Sequence, residues 1–213
     1  MRSDCLALPS VRGKKSRRPK ESRLFALDSD GTVFDSMRPK HEAAFLPAFV
    51  SWFAPRDPGA GAETWSFVGL GSRRRGSNRF QALNQALRLL PGHPLVLKPD
   101  PSWARLATSL SAWLDREAHP SAASLAGAAS RDPWLSKVLA WSLAVDEAIG
   151  KLGPPKAFAA ALEVLPLLKG LGDIIVLSSA PQASLEREWQ DAGILSYASA
   201  IFGQESGSKA ACL

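Results

Sequence analysis

The chain has 213 residues, 46% of them hydrophobic and 22% charged, which is the composition of a soluble globular protein with one or two domains. No apolar run reaches the roughly 18–20 residues that a membrane-spanning helix needs. The two cysteines, Cys5 and Cys212, exclude a disulfide framework and a cysteine-based metal site. We therefore expect a protein of a reducing, cytoplasmic compartment with no membrane partner.

The net charge of +6 is concentrated at the N-terminus. Residues 1–23 hold eight Lys or Arg and two Asp or Glu, so this segment accounts for the whole excess. It has no hydrophobic periodicity, and we expect a disordered basic tail. A nuclear or organelle address, or a weak polyanion contact, is the functional alternative. Because the remaining chain is close to neutral, nucleic acid is not an expected partner.

The first predicted elements are a short strand and a long helical region. The apolar segment RLFALD predicts a buried strand, which the chain leaves through the flexible Gly31. Residues 40–155 are rich in Ala, Leu and Trp at helical spacing and contain no predicted strand. Within them, helices begin where Asp100 and Asp132, as capping residues, precede a proline. Tryptophans at this spacing indicate core packing, and residues 119–130 are predicted to form a loop.

Strands and helices alternate again after residue 155. The sequence predicts a helix at 156–170, a strand at 173–177, a helix from 181 that ends at Gly193, and a strand at 199–202. This alternation predicts a parallel sheet with helices on its faces. Ligands of such sheets bind beyond the carboxyl ends of the strands.

Polar residues occupy these strand ends. They are Asp28, Asp30, Ser178, Ser179 and, near the last strand, Lys209. One carboxylate can attack phosphorus, and a second, two residues later, can protonate the leaving oxygen and then activate water. Ser178 can donate to a phosphoryl oxygen, Lys209 can neutralise its charge, and Mg²⁺ suits two carboxylates beside a phosphate. The alternative is that Asp30 and Gly31 form only a turn and Asp28 only caps a helix.

Three segments resemble motifs of the haloacid dehalogenase-like hydrolase superfamily. LFALDSDGTVFDS is similar to motif I, IIVLSS to motif II, and GQESGSK to the region of the motif III lysine. They occur in the family's order, and the long helical insert is similar to a C1-type cap. The resemblance covers about residues 24–213. It implies an α/β fold: a Rossmann-like parallel sheet core of residues 24–36 and 156–213, with an inserted helical cap of residues 37–155.

The resemblance also implies roles for the site residues. Asp28 would be the nucleophile and a Mg²⁺ ligand, and Asp30 would be the general acid and base and give its backbone carbonyl to Mg²⁺. Ser178, in preference to Ser179, and Lys209 would hold the transferring phosphoryl group, while Gly31 and Thr32 would shape the turn. The acid at position 30 favours hydrolysis of a small phosphorylated metabolite. A sugar phosphomutase is the alternative enzyme.

The sequence departs from the family after Lys209. The fourth motif, a strand that ends in acidic residues of the Mg²⁺ site, is missing, and no Asp or Glu follows Glu205. We therefore expect a sheet core that is incomplete at the C-terminus, with an exposed edge. The chain is interpreted as a truncated form with weak or no activity, or otherwise as a non-catalytic phosphate-binding relative.

One stretch of the insert is a candidate for substrate recognition. Arg75, Asn78 and Arg79 lie in the segment GLGSRRRGSNRF and are predicted to bind a carboxylate or a second phosphate of the substrate. Alternatively, Asn78 caps a helix and the arginines are solvated. The three histidines are scattered without metal-ligand spacing and receive no predicted role. No oligomeric state is predicted.

Overall fold

The computed structural model describes residues 23–207 and 209–211. Its strands are β1 (Arg23–Leu27), β2 (Gly172–Leu177) and β3 (Ala200–Phe202). Its α-helices are α1 (Met37–Lys40), α2 (Leu46–Phe53), α3 (Pro58–Ser66), α4 (Arg79–Leu89), α5 (Pro101–Leu114), α6 (Ala122–Ala129), α7 (Pro133–Gly150), α8 (Ala159–Leu171) and α9 (Gln182–Asp191). A π-helical segment (His41–Phe45) joins α1 to α2, and a second one (Phe67–Gly71) follows α3.

The three strands form one parallel sheet in the order β1-β2-β3. Strand β1 pairs with β2 from Arg23 opposite Gly172 to Leu27 opposite Val176. Helix α8 packs against β2 and helix α9 against β3. This arrangement confirms the predicted α/β fold class, a Rossmann-like sheet with a helical insertion. In the described sheet β1 is an edge strand, and its Leu24 is more than half exposed.

Two separate apolar clusters form the interior. The smaller one lies under the sheet and contains Phe34, Ile174 and Trp189. The larger one lies among α2 to α7 and buries Trp65, Trp103 and Trp141 together with Leu and Phe side chains from the same helices. The helical tryptophans are therefore part of a core, as their spacing predicts. The exact boundaries 36/37 and 155/156 of the predicted insert stay a prediction.

The two connections between the sheet and the helical region run side by side. The backbone N–H of Asp35 donates to Lys156 O at 2.9 Å, and that of Phe158 donates to Val33 O at 2.9 Å. Phe34 also forms an antiparallel bridge with Ala157. Because these crossing points lie directly after Asp30, the helical region begins next to the predicted site.

Three sequence-based expectations are wrong. The segment RLFALD forms a strand, but not a buried one, because β1 lies at the edge of the described sheet and none of its residues is buried. Residues 119–130 do not form only a loop, because residues 122–129 are helix α6. Ser121 and Ser124 form a reciprocal capping box at its start, and Leu125 is fully buried. Arg23 belongs to β1 instead of the basic tail, whose other residues, 1–22, lie outside the described part of the chain. Among the described helices none is both long and apolar enough to cross a membrane.

Candidate active site at the carboxyl ends of the strands

The carboxyl ends of β1 and β2 open into one cavity of about 840 Å³. Asp28 and Asp30 follow β1, and Ser178 and Ser179 follow β2, and all four line this cavity. Its other walls come from the helical region and from α9. The structure thus brings together the polar residues that the strand ends predict, while their chemical roles stay predictions.

The side chain between the two carboxylates anchors the strand tip. Ser29 is fully buried, and its Oγ accepts a hydrogen bond of 3.1 Å from Trp189 Nε1. Successive side chains on an extended backbone point to opposite faces. Because Ser29 points into the core, Asp28 and Asp30 are directed to the other face, where the cavity lies.

A tight turn directly after Asp30 reverses the chain. The carbonyl oxygen of Ser29 accepts from the backbone N–H groups of Thr32, Val33 and Phe34 at 3.2, 2.9 and 3.1 Å. Gly31 adopts φ +76°, a left-handed conformation that glycine takes without a Cβ penalty. A Cβ at Gly31 would also come within 2.9 Å of Met37 Cγ. Glycine is therefore required at this position by both its backbone and its surroundings.

Lys209 contacts the first carboxylate. Its Nζ lies 2.8 Å from Asp28 Oδ1, which also accepts from the backbone N–H of Ser29 at 2.9 Å. Both side chains of this ion pair are about 40% exposed, so the pair itself contributes little to stability. Ser178 is buried behind it, and its Oγ accepts from Ala180 N at 3.2 Å. Ser178 and Ser179 thus follow β2 and line the cavity with Asp28, whereas Lys209 reaches Asp28 from the short 3-10 segment Lys209–Ala211.

The second carboxylate has two donors on one oxygen. Asp30 Oδ1 accepts from Ser36 Oγ and, at 2.8 Å, from Lys40 Nζ. The same ammonium donates to Glu188 Oε1 of α9 at 2.7 Å, and the side chains of this triad are each less than a fifth exposed. Asp28 is therefore not a helix cap, because α1 begins only at Met37, and Asp30 does more than start the turn, because it also binds Ser36 and Lys40.

Burial and charge oppose each other in this triad. Burial alone would lower the pKa of Lys40, but the neighbouring Asp30 and Glu188 carboxylates outweigh it and raise the pKa above its ordinary value. Burial raises the pKa of Glu188, and the ammonium of Lys40 offsets this only in part. We conclude that Lys40 is charged at neutral pH and holds Asp30 in a fixed orientation.

The donor set can be compared with the needs of Mg²⁺. Asp28 and Asp30 offer two carboxylates on one face, and Mg²⁺ is commonly held by one or two carboxylates together with water and substrate phosphate. Within residues 23–207 and 209–211, no group of three or more His, Cys, Asp or Glu side chains has the arrangement of a metal site. The residues present fit a cation that shares its coordination with a phosphorylated substrate.

The three predicted substrate residues have different surroundings in the structure. Asn78 caps α4 by accepting from Phe80 N at 3.0 Å and donates to Pro120 O at 2.7 Å, which supports the helix-cap alternative. Arg79 lines the cavity, but it forms an ion pair of 2.6 Å with Asp146. Arg75 is exposed, and its guanidinium lies near the turn at Gly31.

Sequence reasoning missed Lys40, Ser36 and Glu188. Ser36 and Lys40 follow the strand tip by six and ten residues, but Glu188 lies 148 residues beyond Lys40. A lysine at the start of a long helical insert has no distinctive spacing. The one available signal was a Glu on the α9 face that also carries the core residues Leu185 and Trp189.

Among known proteins, the chain is similar only to solved structures. No family model and no curated protein matches the chain. Among solved structures, the HAD-hydrolase YfnB from Bacillus subtilis bound to magnesium matches with 14% identity and a TM-score of 0.38. The match covers 86% of this chain, which spans 66% of the length of that structure. At this level of likeness, the function has to be argued from the site itself.

Proposed function

We propose that the chain is a Mg²⁺-dependent phosphatase that hydrolyses a small phosphorylated metabolite through an aspartyl-phosphate. The observation that carries the proposal is the placement of Asp28 and Asp30 on the two sides of the buried Ser29. Both carboxylates face one cavity, and Lys209 Nζ lies 2.8 Å from Asp28. The resemblance of three segments to haloacid dehalogenase-like motifs implies the same roles for these residues.

In the first step Asp28 forms a bond to phosphorus while the bond from phosphorus to the leaving oxygen breaks. Asp28 Oδ1 is occupied by Ser29 N and Lys209, and no described residue donates to Oδ2. We therefore assign the attack to Oδ2. Protonated Asp30 gives its proton to the leaving oxygen, which departs as an alcohol.

In the second step water attacks phosphorus and releases inorganic phosphate. Asp30, now a carboxylate, takes the proton from this water, and Asp28 is regenerated. Asp30 Oδ1 carries the bonds from Ser36 and Lys40, so Oδ2 is the oxygen that we assign to proton transfer. Ser178 and Lys209 would bind the phosphoryl oxygens and neutralise their charge. Asp28, through its carboxylate, and Asp30, through its backbone carbonyl, would hold Mg²⁺, which when bound supplies further neutralisation of that charge.

The size of the cavity supports a small substrate. Its volume of about 840 Å³ lies within the range of pockets that bind small molecules and cofactors. Residues of the helical region, among them His41 and Arg79, form part of its wall. A folded protein substrate would not fit an enclosure of this size.

Single-turnover hydrolysis of p-nitrophenyl phosphate with the full 213-residue chain in excess tests the proposal, since this design detects weak activity. We expect Mg²⁺-dependent release of nitrophenol and phosphate, and a loss of at least about a thousandfold in Asp28→Asn. Asp57→Asn is the matched control, because Asp57 lies outside the cavity and its side chain does not cap α3. Isomerisation of a sugar phosphate without release of phosphate would indicate the mutase instead. Saturable binding of phosphate without turnover would indicate a non-catalytic relative.

A further inference from the structure

The imidazole of His41 lies in a recess beside Gly69 that covers one edge of the ring. A Cβ on Gly69 would collide with Nδ1 and Cε1 of His41, so the absence of a side chain at Gly69 makes room for the imidazole. The ring stacks on Phe45 with centroids 5.1 Å apart and lies 6.0 Å from the ring of Trp65. Nδ1 is buried and has no hydrogen-bond partner among the described residues.

The opposite edge of the imidazole is left for the cavity, which His41 lines. Burial lowers the pKa of His41 to about 4, with a smaller contribution from Arg75 and an opposing one from Asp30. A neutral imidazole carries one proton, and at Nδ1 this proton would be a buried donor without an acceptor. The favoured tautomer therefore carries it at Nε2, where a bound molecule can accept it.

The side chains that contact the His41 ring are apolar, while cations such as Arg74 and Lys156 line other parts of the same cavity. The cavity also has apolar lining from Phe45, Trp65 and Ile149. Ser77 lines it as well, and its Oγ is buried without a described partner. The guanidinium of Arg79, which is 9% exposed, is neutralised by Asp146. We call His41, Phe45, Trp65, Gly69 and Ser77 the His41 pocket.

We propose that the His41 pocket receives an uncharged, partly apolar leaving group that carries an oxygen or nitrogen acceptor. This inference rests on the proposed phosphatase function and names its substrate class. The preferred substrate is a phosphomonoester of a small aromatic or heteroaromatic alcohol. Aromatic walls bind such flat groups, and a neutral donor orients them. Within the His41 pocket itself, a phosphorylated acid or a bisphosphate would find no cationic side chain for its second anion.

Turnover of a panel of esters tests the substrate class. We expect kcat/KM for 3-pyridylmethyl phosphate to exceed that for 2-phosphoglycolate by at least about tenfold. In Gly69→Ala the new Cβ displaces the imidazole, and KM for the pyridyl ester rises more than KM for methyl phosphate. Gly71→Ala is the matched control, because its Cβ would meet the nearest atom at an ordinary 3.7 Å. A preference for 2-phosphoglycolate would overturn the proposal.

Binding of 3-pyridinemethanol gives a readout that does not need turnover. The chain has three histidines, so the ring protons of His41 can be assigned in proton NMR spectra by comparison with His41→Gln. We expect the alcohol to shift the His41 signals and to leave those of His93 unchanged. If all esters are hydrolysed equally well and the alcohol causes no such shift, the inference is overturned and the proposed phosphatase function stands. The shift without turnover of any ester would support the pocket and overturn the proposed function.

Discussion

Lys40 Nζ lies 2.8 Å from Asp30 Oδ1, and this contact ties the first helix of the insert to the strand tip that carries the proposed acid. The same ammonium donates to Glu188 on α9. One side chain therefore joins three segments that are distant in the chain. Its effect can be separated from that of the neighbouring residues by substitution.

Lys40→Met should reduce both stability and turnover. The variant removes the ammonium that contacts both Asp30 and the buried Glu188, and breaking a buried ion pair costs about 3–5 kcal/mol. Urea denaturation and single-turnover assays measure the two effects. The double variant Lys40→Met/Glu188→Gln removes one of the unpaired charges and should regain part of the stability. If the single variant unfolds at the same urea concentration as the wild type, the triad contributes nothing to stability.

Gly31→Ala should lose activity as well as stability. An alanine at φ +76° costs about 1–2 kcal/mol, and its Cβ would displace Met37 and shift the turn that orients Asp30. Gly193→Ala is the matched control, because it has φ +69° and no atom within 4 Å of the new Cβ. We expect a larger loss of stability in Gly31→Ala, because its Cβ also meets Met37, and a loss of turnover in Gly31→Ala alone. Equal turnover in the two would show that the turn does not position Asp30.

His41 should make the free energy of unfolding depend on pH. Its pKa is about 4 in the folded chain, against an ordinary value of 6.5. Between these values the unfolded chain binds more protons, so stability is fully present above pH 6.5 and is lost as the pH falls towards 4. The loss amounts to about 3 kcal/mol. Denaturation at several pH values should show this slope in the wild type and a smaller slope in His41→Gln; identical slopes would contradict the assignment.

Asn78→Ala should affect stability more than substrate binding. It removes the cap of α4 and the bond to Pro120 O, at a cost of about 1 kcal/mol. Asn78→Asp keeps the oxygen that accepts from Phe80 N but loses the donor to Pro120 O, so it should recover only part of this loss. KM for p-nitrophenyl phosphate should stay unchanged in both. A large rise of KM in Asn78→Asp at wild-type stability would restore a substrate role for Asn78.

The fold was largely predictable because its signals are local. Continuous apolar runs end directly before Asp28 and Ser178, and both are strands β1 and β2. Asp100 and Asp132 cap α5 and α7, as an acidic residue before proline predicts. Helix α6 was not predicted because its capping box pairs two serines, instead of a serine with Glu or Gln. Its Ala and Gly content is also typical of a loop.

The site was predictable only in part. The strand ends identify Asp28, Asp30 and Ser178 because the topology of a parallel sheet brings these positions together. The partners of Asp30 depend on how α1 and α9 pack, and no local pattern specifies the contact between Lys40 and Glu188. The same holds for Arg79, because its charge is neutralised by Asp146, 67 residues away in the sequence.

The central claim is that Asp28 becomes phosphorylated during the reaction. Its most direct test is to quench the 213-residue chain during reaction with p-nitrophenyl phosphate and Mg²⁺ and to reduce it with borohydride. Reduction of an aspartyl-phosphate gives homoserine, which mass spectrometry of the peptide that contains residue 28 can identify. The account predicts homoserine at position 28 and unmodified Asp30. Hydrolysis that proceeds with Asp28 unmodified, or homoserine at another position, would contradict it.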